Sequence, residues 1–328
     1  VRVVRFHRHG GPEVLHLETA ERPSPRAGEV TINVKAIGLN RADALMRAGT
    51  YIEQATLPSG LGLEAAGIIG EVGEGVSTFR PGDPVSIVPP ISMVRWPTYA
   101  EYICVPAELV VKHPPFLRLE EAAAVWMQYL TAYGALVEIA KVRCGEFVAI
   151  TAASSSVGLA AIQTVKLLGG VPVAITREAA KRQALIESGA DHVIVSSEED
   201  LAHRLREITG PSGVRVIFDA VAGPIFEPLA DAMAKGGILI EYGGLSREPT
   251  PFPLSFVLAK GLTLRGYLVH EITGDAQRLE AAKRFIFDGL ASGQLRPIIS
   301  RMFPFDEIVE AHRFLESNQQ FGKIVVTV

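Results

Sequence analysis

Between Phe147 and Gln163 the chain reads FVAITAASSSVGLAAIQ, and Ala153, Ser155 and Gly158 stand where G-x-G-x-x-G would seat a dinucleotide pyrophosphate. The chemistry of such a turn is electrostatic: a helix opening just after a strand offers free N–H groups and a positive dipole end to phosphate oxygens. Only the third glycine, Gly158, which permits close packing of helix on strand, is retained. Ser155 offers a hydroxyl to a phosphate oxygen instead of a close backbone approach. Taken alone, the segment is equally an ordinary strand-to-helix turn. Ser154 to Gly158 also differs at one residue from G-x-S-x-G, the strained turn of a nucleophilic serine, and Asp219 with His270 or His312 follows in hydrolase order. That alternative leaves the repeated strands and helices beyond the turn without a purpose.

The elements around the turn give it context. Phe147 to Ala153 is rich enough in Val, Ile and Phe for a strand buried on both faces, and Val157 to Leu168 continues as a helix packed on a sheet. Further strands are expected at VPVAIT (171–176), HVIVS, VRVIFDAV, GILIEYG and LTLRGYL (262–268), with helices near 178–187, 200–208 and 224–234. Six strands with helical crossovers predict an α/β protein with a doubly wound parallel Rossmann sheet. Its ligand crevice should be ringed by Ala153 to Ser156, Thr176, Ala220 with Val221, and Tyr242 to Gly244. Residues 1–112 are instead short strands punctuated by Gly and Pro, which predicts a barrel-like, mostly β domain with one short helix at 41–48. One or two helices are expected over 119–140, and a helix at 274–292 and the strand KIVVTV should return to the first domain.

With 328 residues, 48% of them hydrophobic, the chain should fill about two domains with substantial cores. A net charge of −4 without a basic cluster argues against nucleic acid or an anionic membrane surface as partner. No uninterrupted apolar run reaches the roughly 18 residues of a spanning helix, so a cytoplasmic location is expected. Cys104 and Cys144 lack CxxC partners and read as reduced structural thiols.

A preference for NAD places Asp or Glu at the end of the second strand, against the ribose 2′-OH. Thr176 stands there, followed by Arg177, with Lys181 and Arg182 a turn on, a set that attracts a 2′-phosphate and so predicts NADPH. Glu178 lies among them, and an acid in a first helical turn is accounted for by the dipole. The cations are otherwise a solvated helix face.

At this point the sequence resembles the zinc-free quinone oxidoreductase branch of the medium-chain dehydrogenase/reductase family over nearly its whole length. The resemblance is carried by FHRHGGPEVL (6–15), AIGLN (36–40) with Asp43, GLEAAG (62–67), PGD (81–83), LTAY (130–133) and the turn from Ala152 to Gly158. It implies a GroES-like catalytic domain built from both chain ends, expected at 1–122 and 269–328, with the NADPH-binding Rossmann domain inserted at 123–268. It also implies a homodimer. Zinc-dependent relatives have Cys where this chain has Asn40 and His where it has Leu63, and their four-cysteine lobe is replaced by SIVPPISMVRWPTY, so no metal is expected. By position, Asn40, Thr131, Ser155, Ser156, Val157, Gly158, Thr176, Arg177, Lys181, Val221, Gly243 and Tyr267 are the expected cofactor contacts. A tyrosine and an arginine that the family often sets against the 2′-phosphate are replaced by Ser196 and Asn318, and a tyrosine of some quinone reductases by Leu45.

Without a Lewis acid, the implied reaction is hydride transfer from NADPH to a small electron-poor acceptor, a quinone or an α,β-unsaturated carbonyl compound. A 2-enoyl thioester reductase and an NADPH-binding protein without turnover are the alternatives. Tyr51 stands where related enoyl reductases carry a candidate acid; it either protonates the developing product oxygen or packs over the pocket as a loop tyrosine. Asn40 either orients Tyr51 or the nicotinamide ribose, or caps a helix. Met93, Trp96, Trp126 and Phe256 are candidates for an apolar pocket wall or for plain core.

Overall fold

The chain begins with an antiparallel pair, β1 (Arg2–Phe6) and β2 (Leu15–Thr19), in a computed structural model that describes residues 1–328. By its internal contacts it divides into two units, Val1–Met127 with Pro297–Val328, and Gln128–Arg296. The first unit is organised on β3 (Glu29–Gly38), where Val30, Ile32 and Val34 are fully buried. Helix α1 (Arg41–Ala48) starts where the Asn40 N–H donates to the Asp43 carboxylate at 2.8 Å, and it stops at Gly49, whose φ of 77° suits a residue without Cβ. Then come β4 (Ala65–Val72), β5 (Pro84–Ile87), β6 (Tyr102–Pro106) and β7 (Val110–Lys112), paired antiparallel in the order β3-β4-β5-β7, with β6 on the other edge of β3, along Glu29–Asn33. The short helix α2 (Leu119–Ala122) lies close on β3 and β4 because Ala36, Ala66 and Ala122 to Ala124 leave no bulk between them.

Helix α3 (Trp126–Tyr133) crosses into the second unit and continues as a π-helical turn over Gly134–Ile139. The parallel sheet then follows: β8 (Phe147–Ile150), α4 (Ser156–Leu167), β9 (Val171–Thr176), α5 (Arg182–Glu187), β10 (His192–Val195), α6 (Leu201–Thr209), β11 (Val214–Asp219), α7 (Phe226–Ala232), β12 (Met233–Glu241), α8 (Leu254–Lys260) and β13 (Thr263–Gly266). The spatial order is β10-β9-β8-β11-β12-β13, every pairing parallel, so the sequence reverses direction between β8 and β11. Val173, Ile175, Ile194, Val214, Ile217 and Leu239 form its core with Leu205 and Leu229 from the covering helices. This is the Rossmann order, and the switch point is where such sheets bind ligands.

After α9 (His270–Thr273), helix α10 (Ala276–Ala291) stays with the second unit, its Arg278 bound to Glu138 at 2.7 Å and its Phe285 packed on Tyr133. By these contacts the first unit resumes at Pro297 and the second begins at Gln128. The returning segment supplies β14 (Ile299–Pro304), α11 (Ile308–Ser317) and β15 (Lys323–Thr327); β15 pairs antiparallel with β3 and parallel with β14, completing a seven-stranded sheet.

Candidate functional site

In the second unit, β8 stops at Ile150 because Ala152 takes a left-handed φ of 45° and turns the chain across the sheet end. The turn is pinned by Ala153 N–H to Ile175 O at 3.2 Å and Ser155 N–H to Ala152 O at 2.9 Å. Ser155 is the N-cap of α4, its hydroxyl oxygen accepting the Gly158 N–H at 3.0 Å. The oxygen serves the helix, and the hydroxyl faces the Tyr242 phenol. A Cβ on Gly158 would stand 2.6 Å from the Ala153 carbonyl oxygen, so glycine is required by helix packing, as the sequence pattern indicates. Ser156 and Val157 open the first turn, whose N–H groups lie beyond the reach of intrahelical acceptors. A Cβ at Gly244, just past β12, or at Gly266, the end of β13, would meet nothing within 4 Å, so both face open space.

The floor of this crevice is acidic. Buried Asp219 accepts the Thr151 hydroxyl at 2.5 Å and the N–H groups of Val221 and Ala222 at 3.0 and 2.9 Å. Burial, and then the neighbouring Asp219 carboxylate, push the Glu241 carboxyl up to about 10, so it holds a proton at neutral pH. Tyr242 stacks on Phe218 with centroids 4.0 Å apart. Sequence reasoning missed Glu241: a single acid at a strand end gives no warning of a second beneath it. Of the residues that follow the turn in hydrolase order, Asp219 is engaged by Thr151 and two backbone N–H groups, and His312 lies 3.2 Å from the Tyr99 hydroxyl.

At the end of β9, buried Thr176 accepts the Glu178 N–H through its hydroxyl at 3.2 Å. Arg177 is exposed. Lys181 lies 3.1 Å from the Glu178 carboxylate, while Arg182 turns away to the Val193 carbonyl and to Glu199 at 2.8 and 2.7 Å. Gly243 sits against Ala220 beside Val221 at the crevice floor. Thr131 is buried on α3, and Tyr267 is buried with its hydroxyl donating to Leu130 O at 3.1 Å, over Gly134, where a Cβ would stand 2.1 Å from that hydroxyl. The hydroxyl of Tyr267, a residue expected to touch a cofactor, thus has a structural acceptor.

In the first unit, Asn40 is held at both ends of its amide. Its Oδ1 accepts from Lys323 Nζ at 2.7 Å and its Nδ2 donates to Gly38 O at 3.1 Å. Lys323 also pairs with Glu64 at 2.6 Å, both side chains at 0% exposure, and Glu64 accepts the Met127 N–H at 3.1 Å. Asp43, fully buried, accepts the Tyr99 hydroxyl at 3.0 Å and is lifted to about 7 by burial, while burial keeps His312 neutral by lowering it to about 3. Tyr51 is partly buried in the segment after α1, its phenol pushed up to about 12 by burial and then by Asp43 and Glu53. Leu63 is core at 1% exposure. Of the expected pocket wall, Met93 and Trp126 are fully buried core and Phe256 packs against the core of the parallel sheet. Trp96 is only partly buried, with the Arg95 guanidinium over its ring at 4.5 Å.

A parallel sheet of this order, a capped helix at its switch point and a mostly-strand unit made from both chain ends define a dinucleotide-binding dehydrogenase fold. The alcohol dehydrogenase GroES-like domain matches residues 26–115, and the zinc-binding dehydrogenase domain matches residues 188–326. Quinone oxidoreductase 1 of Escherichia coli is 33% identical over 327 residues, covering 97% of each chain. The crystal structure of an Escherichia coli quinone oxidoreductase complexed with NADPH superposes with a TM-score of 0.92 at 31% identity over 100% of both chains. That of a NAD-dependent alcohol dehydrogenase gives 0.91 at 31% identity, also over 100% of both. The chain belongs to the medium-chain dehydrogenase/reductase family, in its quinone oxidoreductase branch. No helix is long and apolar enough to cross a membrane.

Proposed function

We propose that the protein is an NADPH-dependent, metal-independent reductase of quinones or related α,β-unsaturated carbonyl compounds. The observation that carries the reading is the turn from Thr151 to Gly158 at the β8–β11 switch point, with open room beyond Gly244 and Gly266. The residues fit the cofactor: the first N–H groups of α4 and the Ser155 hydroxyl hold the diphosphate, and Arg177 and Lys181 attract a 2′-phosphate. Bound NADPH supplies the hydride. Tyr51 keeps its proton throughout the physiological range and gives it to the oxygen that becomes anionic, while Asn40, clamped by Lys323 and Gly38, is a fixed amide for orienting a ligand. Metal independence is supported by the donor set: Asn40 and Glu64 turn oxygens to a lysine ammonium, and Leu63 has no ligand atom.

We further propose a cytoplasmic homodimer, formed through the edge strand β13, which pairs only with β12 and lies near the exposed Leu254 and Leu258. NADPH consumption measured against quinones, enones and 2-enoyl thioesters tests the catalytic reading. Quinones or enones should turn over fastest. Preference for a thioester would favour the biosynthetic alternative, and NADPH binding without oxidation by any acceptor would favour a binding protein.

A further inference from the structure

The second strand of a Rossmann sheet ends beneath the adenosine ribose, and the side chains just beyond it read the 2′ substituent. In this chain they carry both possible answers. Arg177 is exposed, and Lys181, its side chain 11% exposed, lies 3.1 Å from the 46%-exposed carboxylate of Glu178. The turn presenting them is fixed by two hydroxyls: Thr176 accepts the Glu178 N–H at 3.2 Å, and Ser197 donates to the Arg177 carbonyl at 2.6 Å. The nearby groups that could reinforce phosphate binding are engaged elsewhere. Arg182 is bound to Val193 O and Glu199, and the Ser196 hydroxyl donates to Thr176 O at 3.3 Å.

We propose that Glu178 determines cofactor specificity in this protein, opposing a 2′-phosphate and accepting a 2′-hydroxyl, so that NADH is bound within about tenfold of NADPH. A phosphate carrying nearly two negative charges must draw Lys181 away from Glu178 and then lie beside that carboxylate. A ribose hydroxyl donates to Glu178 and leaves the Glu178–Lys181 pair in place. The two cations keep NADPH bound; the acid prevents it from being the exclusive choice.

This inference rests on the NADPH reading and is tested by equilibrium titration of the full chain with NADPH and with NADH, followed by nicotinamide fluorescence. Wild type should bind both, with a ratio of dissociation constants under about ten. Glu178→Gln should tighten NADPH and weaken NADH, widening the ratio about tenfold, and Lys181→Met should weaken NADPH about tenfold while sparing NADH. A Glu178→Gln ratio within about twofold of wild type overturns the role of Glu178 alone. Wild type binding neither nucleotide overturns the NADPH reading and this inference with it.

Discussion

Replacing Glu241 with glutamine should stabilise the second unit, and more so as the pH rises. The carboxyl is raised from an ordinary 4.5 to about 10 by burial and by Asp219. Between those values the folded state holds a proton that the unfolded state has released, so folding takes up a proton and stability falls with rising pH. The favourable contribution is complete below 4.5 and is lost as the pH climbs towards 10. The ceiling on the loss is about 1.4 kcal/mol for each pH unit above the unfolded value, hence about 3 kcal/mol at pH 7. Because the group is not fully enclosed, solvent screening reduces this to about 1–2 kcal/mol. Glutamine retains the shape and has no proton to take up. For a unit of this size the gain is about 2–8 °C in melting temperature at pH 7, shrinking towards zero near pH 5. Circular dichroism melts of wild type and Glu241→Gln at pH 5, 7 and 8.5 read it directly. A difference that is constant across pH, or a variant less stable than wild type at pH 8.5, would refute a proton held on Glu241.

Tyr51→Phe should lower kcat on the best acceptor by at least about tenfold with little change in KM, since general acids contribute roughly 10²–10⁴-fold; full kcat in the variant removes the acid role. Lys323→Met leaves the Glu64 carboxylate buried without its counter-charge and should cost about 3–5 kcal/mol, much of it recovered in the Lys323→Met/Glu64→Gln double variant, as thermal melts will show. A lone Lys323→Met protein that melts with wild type contradicts the pairing. Ser155→Ala removes the cap of α4, for about 1 kcal/mol of stability, and with it a donor to the diphosphate. NADPH titration should show weaker binding, whereas a change in melting temperature alone would leave the serine a purely structural role.

The six strands and their parallel sheet were legible because β-branched and aromatic runs alternate with helical stretches, and a parallel sheet buried on both faces admits few other readings. The turn at Gly158 was legible for the same reason: a glycine between such a strand and such a helix has one packing role. The end of β8 at Ile150 was not, because the left-handed Ala152 has no mark in its residue type. Nor was the allegiance of α10, since its apolar stripe fits either unit and only the Arg278–Glu138 pair and the Tyr133–Phe285 contact reveal which. Glu178 was explained too easily by the helix dipole, and its contact with Lys181 emerges only once the turn is built. Lys323 opens the expected strand KIVVTV with nothing in its residue type to mark it as interior, yet it is among the most deeply buried side chains.

That lysine also imposes an order on synthesis. Glu64 is translated early, and the ammonium that neutralises it emerges roughly 260 residues later, on the order of ten seconds to a minute at ordinary elongation rates. Gln128–Arg296 is an unbroken stretch that can acquire its structure on the ribosome in the meantime. Until β15 arrives, the Ala36–Gly38 end of β3 has no strand on that edge, and the GroES-like sheet is incomplete.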